Sequence, residues 1–428
     1  MSPMWGLVLL LALFLMGIPV AYSLGLSALF IMTCSGGVKW ATVCGQMVAG
    51  INSFTILSVP LFLLAGNLMN RCGVTDRLFR FARVLVGWLP GGLGHVNVLA
   101  SFIFAGMSGT AIADASGLGR IEIKAMEDAG YDKDFSCAIT SASSTLGPII
   151  PPSMPLVVYG TISGASIGAL FLAGVIPGAI MALMMMGLVT VISIRRKYPK
   201  DALPGFRQLL RACKEGFLPC LTPVIILLGI YTGIFTPTES AAIAVVYAAA
   251  LGLFVYREVD FKGICEVVRQ TIGDSVGLCA LVATSNLFGT ALVRARIPQT
   301  ITASVMGGID HEVVFLLLVV VMLLVVGMFM ETVSAIAILT PILVPIATSL
   351  GVDLVHLGIV MVLTLMIGVL SPPFGVVLFA VNRVGEIPMA RLIRALIPWF
   401  VLLIGSLLVV TLVQETCTWL PSLANLGG

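Results

Sequence analysis

The chain has 428 residues, 59% of them hydrophobic and 10% charged, with a net charge of +3 and a mean hydropathy of +1.12. A soluble protein carries roughly 25% charged residues, so the composition excludes a water-soluble domain, and the small net charge gives no reason for a nucleic-acid partner. Apolar runs near the ~20 residues that cross a bilayer recur without strict alternation, which points to a polytopic bundle of helices.

The N-terminal "MSPMWGLVLLLALFLMGIPVAYS" has the apolar block of a signal peptide but no basic residue ahead of it, and is expected to be a retained membrane segment. Apolar blocks run near 5–33, 53–70, 92–119, 135–163, 167–194, 217–235, 238–256, 272–293, 311–350, 355–382 and 396–418. Block 5–33 is either one long tilted span or a short hairpin about "GIP" at 17–19. Segments 75–88 and 204–215 are basic and amphipathic and suit the cytoplasmic interface. The nine cysteines form no C-x-x-C pair, and His95, His311 and His356 lie near block ends without a ligand spacing. Packing cysteines and interfacial histidines are expected.

Nearly all of the 23 Lys and Arg fall into groups at 71–83, 120–133, 195–214, 257–269 and 383–394; only Lys39, Arg294 and Arg296 lie elsewhere. Cytoplasmic loops collect such residues. These loops cannot share one side if every block crosses once. Parity returns if 92–119 and 311–350 are re-entrant hairpins entering from opposite faces.

Two breaks carry the same signature. "LGPIIPPSMPLVVY" (146–159) matches "IGVLSPPFGVVLFA" (367–380), pairing Gly147 with Gly368, Pro151 with Pro372 and Pro152 with Pro373. The same shift pairs "GM" at 106–107 with "GM" at 327–328, inside the two proposed hairpins, and a similar shift aligns "LAGNLMNR" (64–71) with "LFGTALVR" (287–294). Proline removes a backbone donor and breaks a helix, and irregular backbone survives at membrane depth only where it lines a cavity or is buried in protein. Two inverted repeats, each with a re-entrant hairpin and a mid-membrane broken helix, are the architecture of secondary carriers. The expected segments are 1–91 (scaffold spans and interfacial arm), 92–194 (first hairpin, broken helix and following span), 195–216 (basic linker), 217–310 (second scaffold) and 311–428 (second hairpin, broken helix and last span).

The hairpin tips read "AGMSGTAIADASG" (105–117) and "VGMFMETVSA" (326–335). A hard cation takes oxygen ligands. Gly106, Ser108, Thr110, Thr145 and Gly147 are candidates for one sodium site, and Gly327, Glu331, Thr332, Gly368 and Pro372 for a second. Ser108, Gly109, Pro151, Pro152, Met330, Glu331 and Pro373 are candidates for contact with an anionic solute between them. Plainer roles compete: Ser108 as a small packing residue, Thr145 as a hydroxyl satisfying freed backbone, Asp114 and Glu331 as buried or protonated acids. Glu239 in "TPTES" is expected to cap a helix with Thr236 or Thr238.

At "VPLFLLAGNLMN" (59–70), "TLGPIIPPS" (145–153), "GIFTPTES" (233–240), "GMFMETVSAIAILTPILVPIA" (327–347) and "SPPFGVVLFA" (371–380) the chain resembles the DctM-like large membrane subunit of tripartite ATP-independent periplasmic (TRAP) transporters. The resemblance implies sodium-driven import of organic acids across a bacterial inner membrane by an elevator-type motion. It also implies a small four-helix membrane subunit and a periplasmic solute-binding protein as partners, with no organic cofactor and no catalysis. The cation sites would map onto 106–110 with 145–148, and 327–332 with 368–372. Gly109 stands where relatives often carry another small hydroxylated residue. Two rivals follow from the same residues. One is a divalent-anion carrier acting alone. The other is an intramembrane serine protease using Ser108 of "GMSG" with His356.

Overall fold

The computed structural model describes residues 3–111, 114–297, 300, 311–372 and 375–424, the side chains of Leu15, Ser108 and Ser116 aside. The described chain is helical. Helix α1 (Trp5–Leu15) and α2 (Val20–Cys34) are joined at Gly17, whose φ of 78° requires glycine. A Cβ on Gly6 would meet Ile31, so the two helices fold back on each other and block 5–33 is the short hairpin.

Helix α3 (Trp40–Ile51) is an addition to the apolar blocks. Lys39, Gln46 and four glycines nearby dilute its hydropathy, and it meets the following segment, 55–71, at 57°. Helix α4 (Ser58–Arg71) leads to α5 (Val74–Val86), the amphipathic arm expected at 75–88. Segment 204–215 is not a separate arm. It opens α11 (Phe206–Tyr231), which follows the first hairpin and broken helix described below and runs unbroken through Pro219 and Pro223. The ring of Phe81 on α5 packs where Gly216 leaves room, so tertiary contact carries this polar end as helix.

The first hairpin is α6 (Gly92–Ser108), a wide turn at Asp114–Leu118 and α7 (Gly119–Asp128). The first broken helix is α8 (Lys133–Ser143) and α9 (Met154–Ser163), followed by α10 (Ile167–Arg196). After α11 come α12 (Pro237–Ala250) and α13 (Phe261–Arg294). The second hairpin is α14 (Glu312–Gly327) with α15 (Thr332–Ser349), and the second broken helix α16 (Leu354–Gly368) with α17 (Val376–Gly385). Helices α18 (Met389–Leu412) and α19 (Glu415–Leu423) close the chain. Six of the described helices are long and apolar enough to cross a bilayer, or seven with the bent pair.

Ion pairs settle which loops share a face. Arg77 meets Glu258 at 2.7 Å and Arg71 meets Glu266 at 3.5 Å; Arg83 meets Asp201 at 2.7 Å. Arg196 meets Asp132 at 2.7 Å, and Arg391 meets Asp134 at 2.9 Å. Exposed pairs of this kind are worth about 0–1 kcal/mol each, but together they tie all five basic loops to one side. Loops 71–91 and 128–133 therefore face the same way, so residues 92–128 enter and return. Likewise α13 starts on that side and ends across from it at Arg294, and the broken helix 354–385 ends on that side and so starts across from it at Leu354; 312–349 therefore enters and returns from the other face. The two broken helices then run in opposite directions.

The cap expected at α12 is present. Thr236 Oγ1 accepts from the Glu239 amide at 3.3 Å, and the Thr236 amide donates to Glu239 Oε2 at 2.7 Å. Thr238 instead donates to the Phe54 carbonyl at 2.9 Å. Thr236→Ala should cost about 1 kcal/mol, read as a lowered Tm with transport retained; an unchanged Tm would show that the cap is idle.

Candidate functional site

Helix α8 ends because its prolines remove donors. Pro148, Pro151, Pro152 and Pro155 cannot supply the amides that the carbonyls of Ser144, Gly147, Pro148 and Pro151 would meet in a continuous helix. Ser153 takes up part of the deficit: its hydroxyl donates to the Pro148 carbonyl, and it caps α9 by accepting from the Leu156 amide at 3.3 Å. The carbonyls of Pro151 and Pro152 stand against the end of α6. A Cβ on Gly109 would lie 2.6 Å from the Pro152 carbonyl oxygen, and one on Gly106 3.4 Å from that of Pro151. A Cβ on Gly147 would lie 3.1 Å from both the carbonyl carbon and oxygen of Thr110.

The second half repeats this with closer backbone. A Cβ on Gly368, the last residue of α16, would lie 2.7 Å from Gly327 Cα. One on Gly327 would lie 2.9 Å from Gly368 Cα and 3.1 Å from the Leu365 carbonyl oxygen. The Thr332 hydroxyl reaches Met366 Sδ at 3.8 Å, and Glu331 caps α15 by accepting from the Ser334 amide at 3.1 Å. Each tip thus rests on the end of a broken helix half. The equal shift does not extend to the tips: Gly147 and Gly368 correspond, but their neighbours are Thr110 and Gly327. Gly106 sits one turn back, against Pro223 of α11, where its Cβ would be 2.7 Å from the ring.

The two halves meet at a cavity of about 50 Å³ lined by Gly109, Thr110, Pro148, Glu331, Thr332 and Met366, with valines 333, 369, 376 and 377 closing it. That volume suits a water or a bare cation. Beside it a crevice of about 790 Å³ opens between α2, α13 and the second tip. Glu331 belongs to both walls. A crevice of this size lies within the roughly 300–1,000 Å³ range of small-molecule sites. Its lining carries Asp274 and Glu331 and, among the described residues, no Lys, Arg or His.

Several expected residues fall elsewhere. Thr145 donates to the Ala142 carbonyl at 2.6 Å, so its hydroxyl proton is spent on local backbone. Pro372 lines an apolar groove of about 410 Å³ with Leu324 and Phe400, and is not among the residues lining the central cavity. Met330 is half-buried against the core and Asp114 is buried in the wide turn; neither lines the cavity. Pro373 and the Ser108 side chain lie outside the described residues. His95 and His356 are buried, not interfacial. His356 Nε2 lies 2.9 Å from the Val410 carbonyl, which commits the ring that a Ser108 protease would need. The crevice and its Asp274 were not legible in the sequence, since a lone acid at the start of the apolar block 272–293 looks like the edge of a span, whereas it stands well inside α13.

Residues 7–416 match the family described as the tripartite ATP-independent periplasmic transporter, DctM component. The chain belongs to that family. The DctM-type chain is 43% identical to the sialic acid TRAP transporter large permease SiaM of Vibrio cholerae, over 96% of its own length and 97% of that protein's. It is 36% identical to the C4-dicarboxylate TRAP transporter large permease DctM of the same organism, over 97% and 96%. Its fold is that of the Alcanivorax borkumensis YdaH transporter, with a TM-score of 0.64 at 16% identity, over 87% of this chain and 88% of that one. The DctM relationship makes this a membrane transporter subunit and not an enzyme.

Proposed function

We propose that the chain is the large permease subunit of a sodium-coupled importer of organic acid anions in a bacterial inner membrane. It would work with a small membrane subunit and a periplasmic solute-binding protein. The observation that carries this reading is the central cavity, where both tips and both breaks converge beside a solute-sized crevice. The electrostatics support cation coupling. An organic anion entering a crevice walled by Asp274 and Glu331, without a basic side chain among the described residues, meets like charge. Positive charge has to arrive with it. Oxygen donors suited to sodium gather at each junction: the Thr110 carbonyl and Gly147 in the first half, and Thr332 with the Leu365 carbonyl in the second. Cation and solute would then raise each other's affinity by the same factor.

The solute class follows from the relatives. A permease 43% identical is named for sialic acid and one 36% identical for C4-dicarboxylates, so a carboxylate is the common group and sialic acid the first solute to test. Transport would proceed by an elevator-type motion, with hairpins and broken helices moving against a frame of α2, α3, α4, α12 and α13. The experiment is uptake of labelled sialic acid into proteoliposomes holding both membrane subunits, with the binding protein outside. An inward sodium gradient should raise uptake at least about tenfold over an equal potassium gradient, which needs about 1.4 kcal/mol of coupling. Equal uptake in the two salts would sink the reading, and uptake without binding protein or small subunit would favour a carrier acting alone.

A further inference from the structure

Below the first tip lies a polar core that the cation sites do not use. Asn97 on α6 is fully buried, and its amide is bonded on every side. Its Nδ2 donates to Glu122 Oε2 on α7 at 2.7 Å and to Thr140 Oγ1 on α8 at 2.8 Å. Its Oδ1 accepts from Ser143 Oγ, also on α8, at 2.8 Å. One turn nearer the tip, the Ser101 hydroxyl donates to Ser143 Oγ at 3.1 Å. One side chain therefore bonds both hairpin arms and the broken helix.

The spacing sets a register. Residues 97 and 101 are four apart and share a face of α6, and 140 and 143 are three apart on α8. One tight 3-10 turn beyond the end of α8, at Ser144–Leu146, the chain reaches Gly147, whose neighbour is the Thr110 backbone. A slip of α8 past the hairpin by one helical turn, about 5.4 Å, would break the three bonds to Thr140 and Ser143 and carry Thr110 away from Gly147. Apolar packing alone resists such a slip weakly, because Ala, Val and Ile side chains exchange places at little cost. Buried polar bonds cannot, since an unmade one costs about 1–3 kcal/mol.

We propose that Asn97 is a positioning residue for the first cation site: it fixes hairpin and broken helix in the register that holds Thr110 against Gly147. The inference rests on the sodium-coupled reading above. Only an amide serves here. It must donate to a carboxylate and to a hydroxyl while accepting from a second hydroxyl. Leucine offers none of this, and aspartate would oppose Glu122.

The test is sodium-dependent uptake in the full reconstituted system by N97L, N97D and the double variant N97D/E122Q. In N97L and N97D the half-saturating sodium concentration should rise at least about tenfold, with the maximal rate at saturating sodium falling less. The double variant restores a donor opposite an acceptor, because the amide introduced at position 122, Thr140 and Ser143 can all donate to the new carboxylate. Its half-saturation should return to within about threefold of wild type. A role in stability alone would lower Tm and maximal rate without moving sodium half-saturation. That result in N97L, or a double variant no better than N97D, would overturn the inference. Wild-type uptake indifferent to sodium is a separate outcome, visible without any variant; it would overturn the functional reading and this inference with it.

Discussion

Gly368→Leu is expected to abolish uptake, by at least about 100-fold, while the protein still inserts into the membrane. Glycine is required here by close approach. A Cβ would stand 2.7 Å from Gly327 Cα and 3.0 Å from its carbonyl carbon, and both are main-chain atoms. Side chains can rotate away from an intruder, but this backbone can move only by separating the second tip from α16. Overpacking a fitted interior typically costs about 1–3 kcal/mol, and here the strain falls on the geometry that would hold the cation. Gly327→Ala should behave alike, its Cβ lying 2.9 Å from Gly368 Cα. Gly147→Leu should be damaging for the same reason, with Thr110 backbone at 3.1 Å. Gly187→Leu is the control, since nothing lies within 4 Å of the added atom. Uptake by Gly368→Leu at the control's rate, at matched membrane levels, would remove the second junction from the site.

The parts of this architecture that were legible in the sequence are those written in proline, glycine and arginine. Each acts locally and without a partner. Pro151 and Pro152 break a helix whatever surrounds them, and a basic loop is held on one side whatever packs above it. The hairpins followed from charge parity, and the ion pairs from Arg83 to Asp201 and from Arg196 to Asp132 bear that out. What stayed illegible depends on neighbours. Helix α3 is too diluted to register as apolar and is held by contacts such as the Asn286 amide on the Gln46 carbonyl, 2.8 Å apart. The polar start of α11 is helical because Phe81 packs on Gly216. Asn97 is one amide in an apolar run, and its importance lies in Glu122, Thr140 and Ser143 arriving from two other helices. The run "SCAITSASSTLG" (136–147) held a usable signal: six hydroxyls in twelve membrane residues call for polar partners. The equal-shift repeat paired Pro372 with Pro151, yet Pro372 lines a groove with Leu324 and Phe400 while the Pro151 carbonyl stands near Gly106, so the two prolines have different neighbours.

The second large effect is expected at Gly289→Leu, where the frame meets the second hairpin. Pro341 lies inside α15 and cannot donate to the Ala337 carbonyl. The Ser285 hydroxyl on α13 fills that vacancy, donating to Ala337 O at 2.5 Å. One turn along α13, Gly289 faces Pro341 itself, with an added Cβ 3.2 Å from the proline Cβ. The first hairpin meets α11, which leads into α12 of the frame, through the same pairing with roles exchanged, Gly106 of α6 against Pro223. A surface along which an elevator slides has to be close yet free of interlocking side chains, and glycine against proline is such a surface. A leucine side chain at this position puts a knob on it. The expected result is uptake reduced at least about 50-fold, with Gly273→Leu, whose added atom meets nothing within 4 Å, near wild type. Ser285→Ala probes the same contact more gently. It strands the Ala337 carbonyl in this arrangement at a cost of about 1–3 kcal/mol, a cost that disappears if that carbonyl meets water once the hairpin has moved. The population should shift toward the displaced arrangement by about 5–150-fold, read as faster thiol labelling at a cysteine placed on α15. If the hairpin stayed fixed against α13 throughout transport, Gly289→Leu would lower Tm and leave the rate of the surviving protein intact, and the elevator would have to give way to a motion elsewhere.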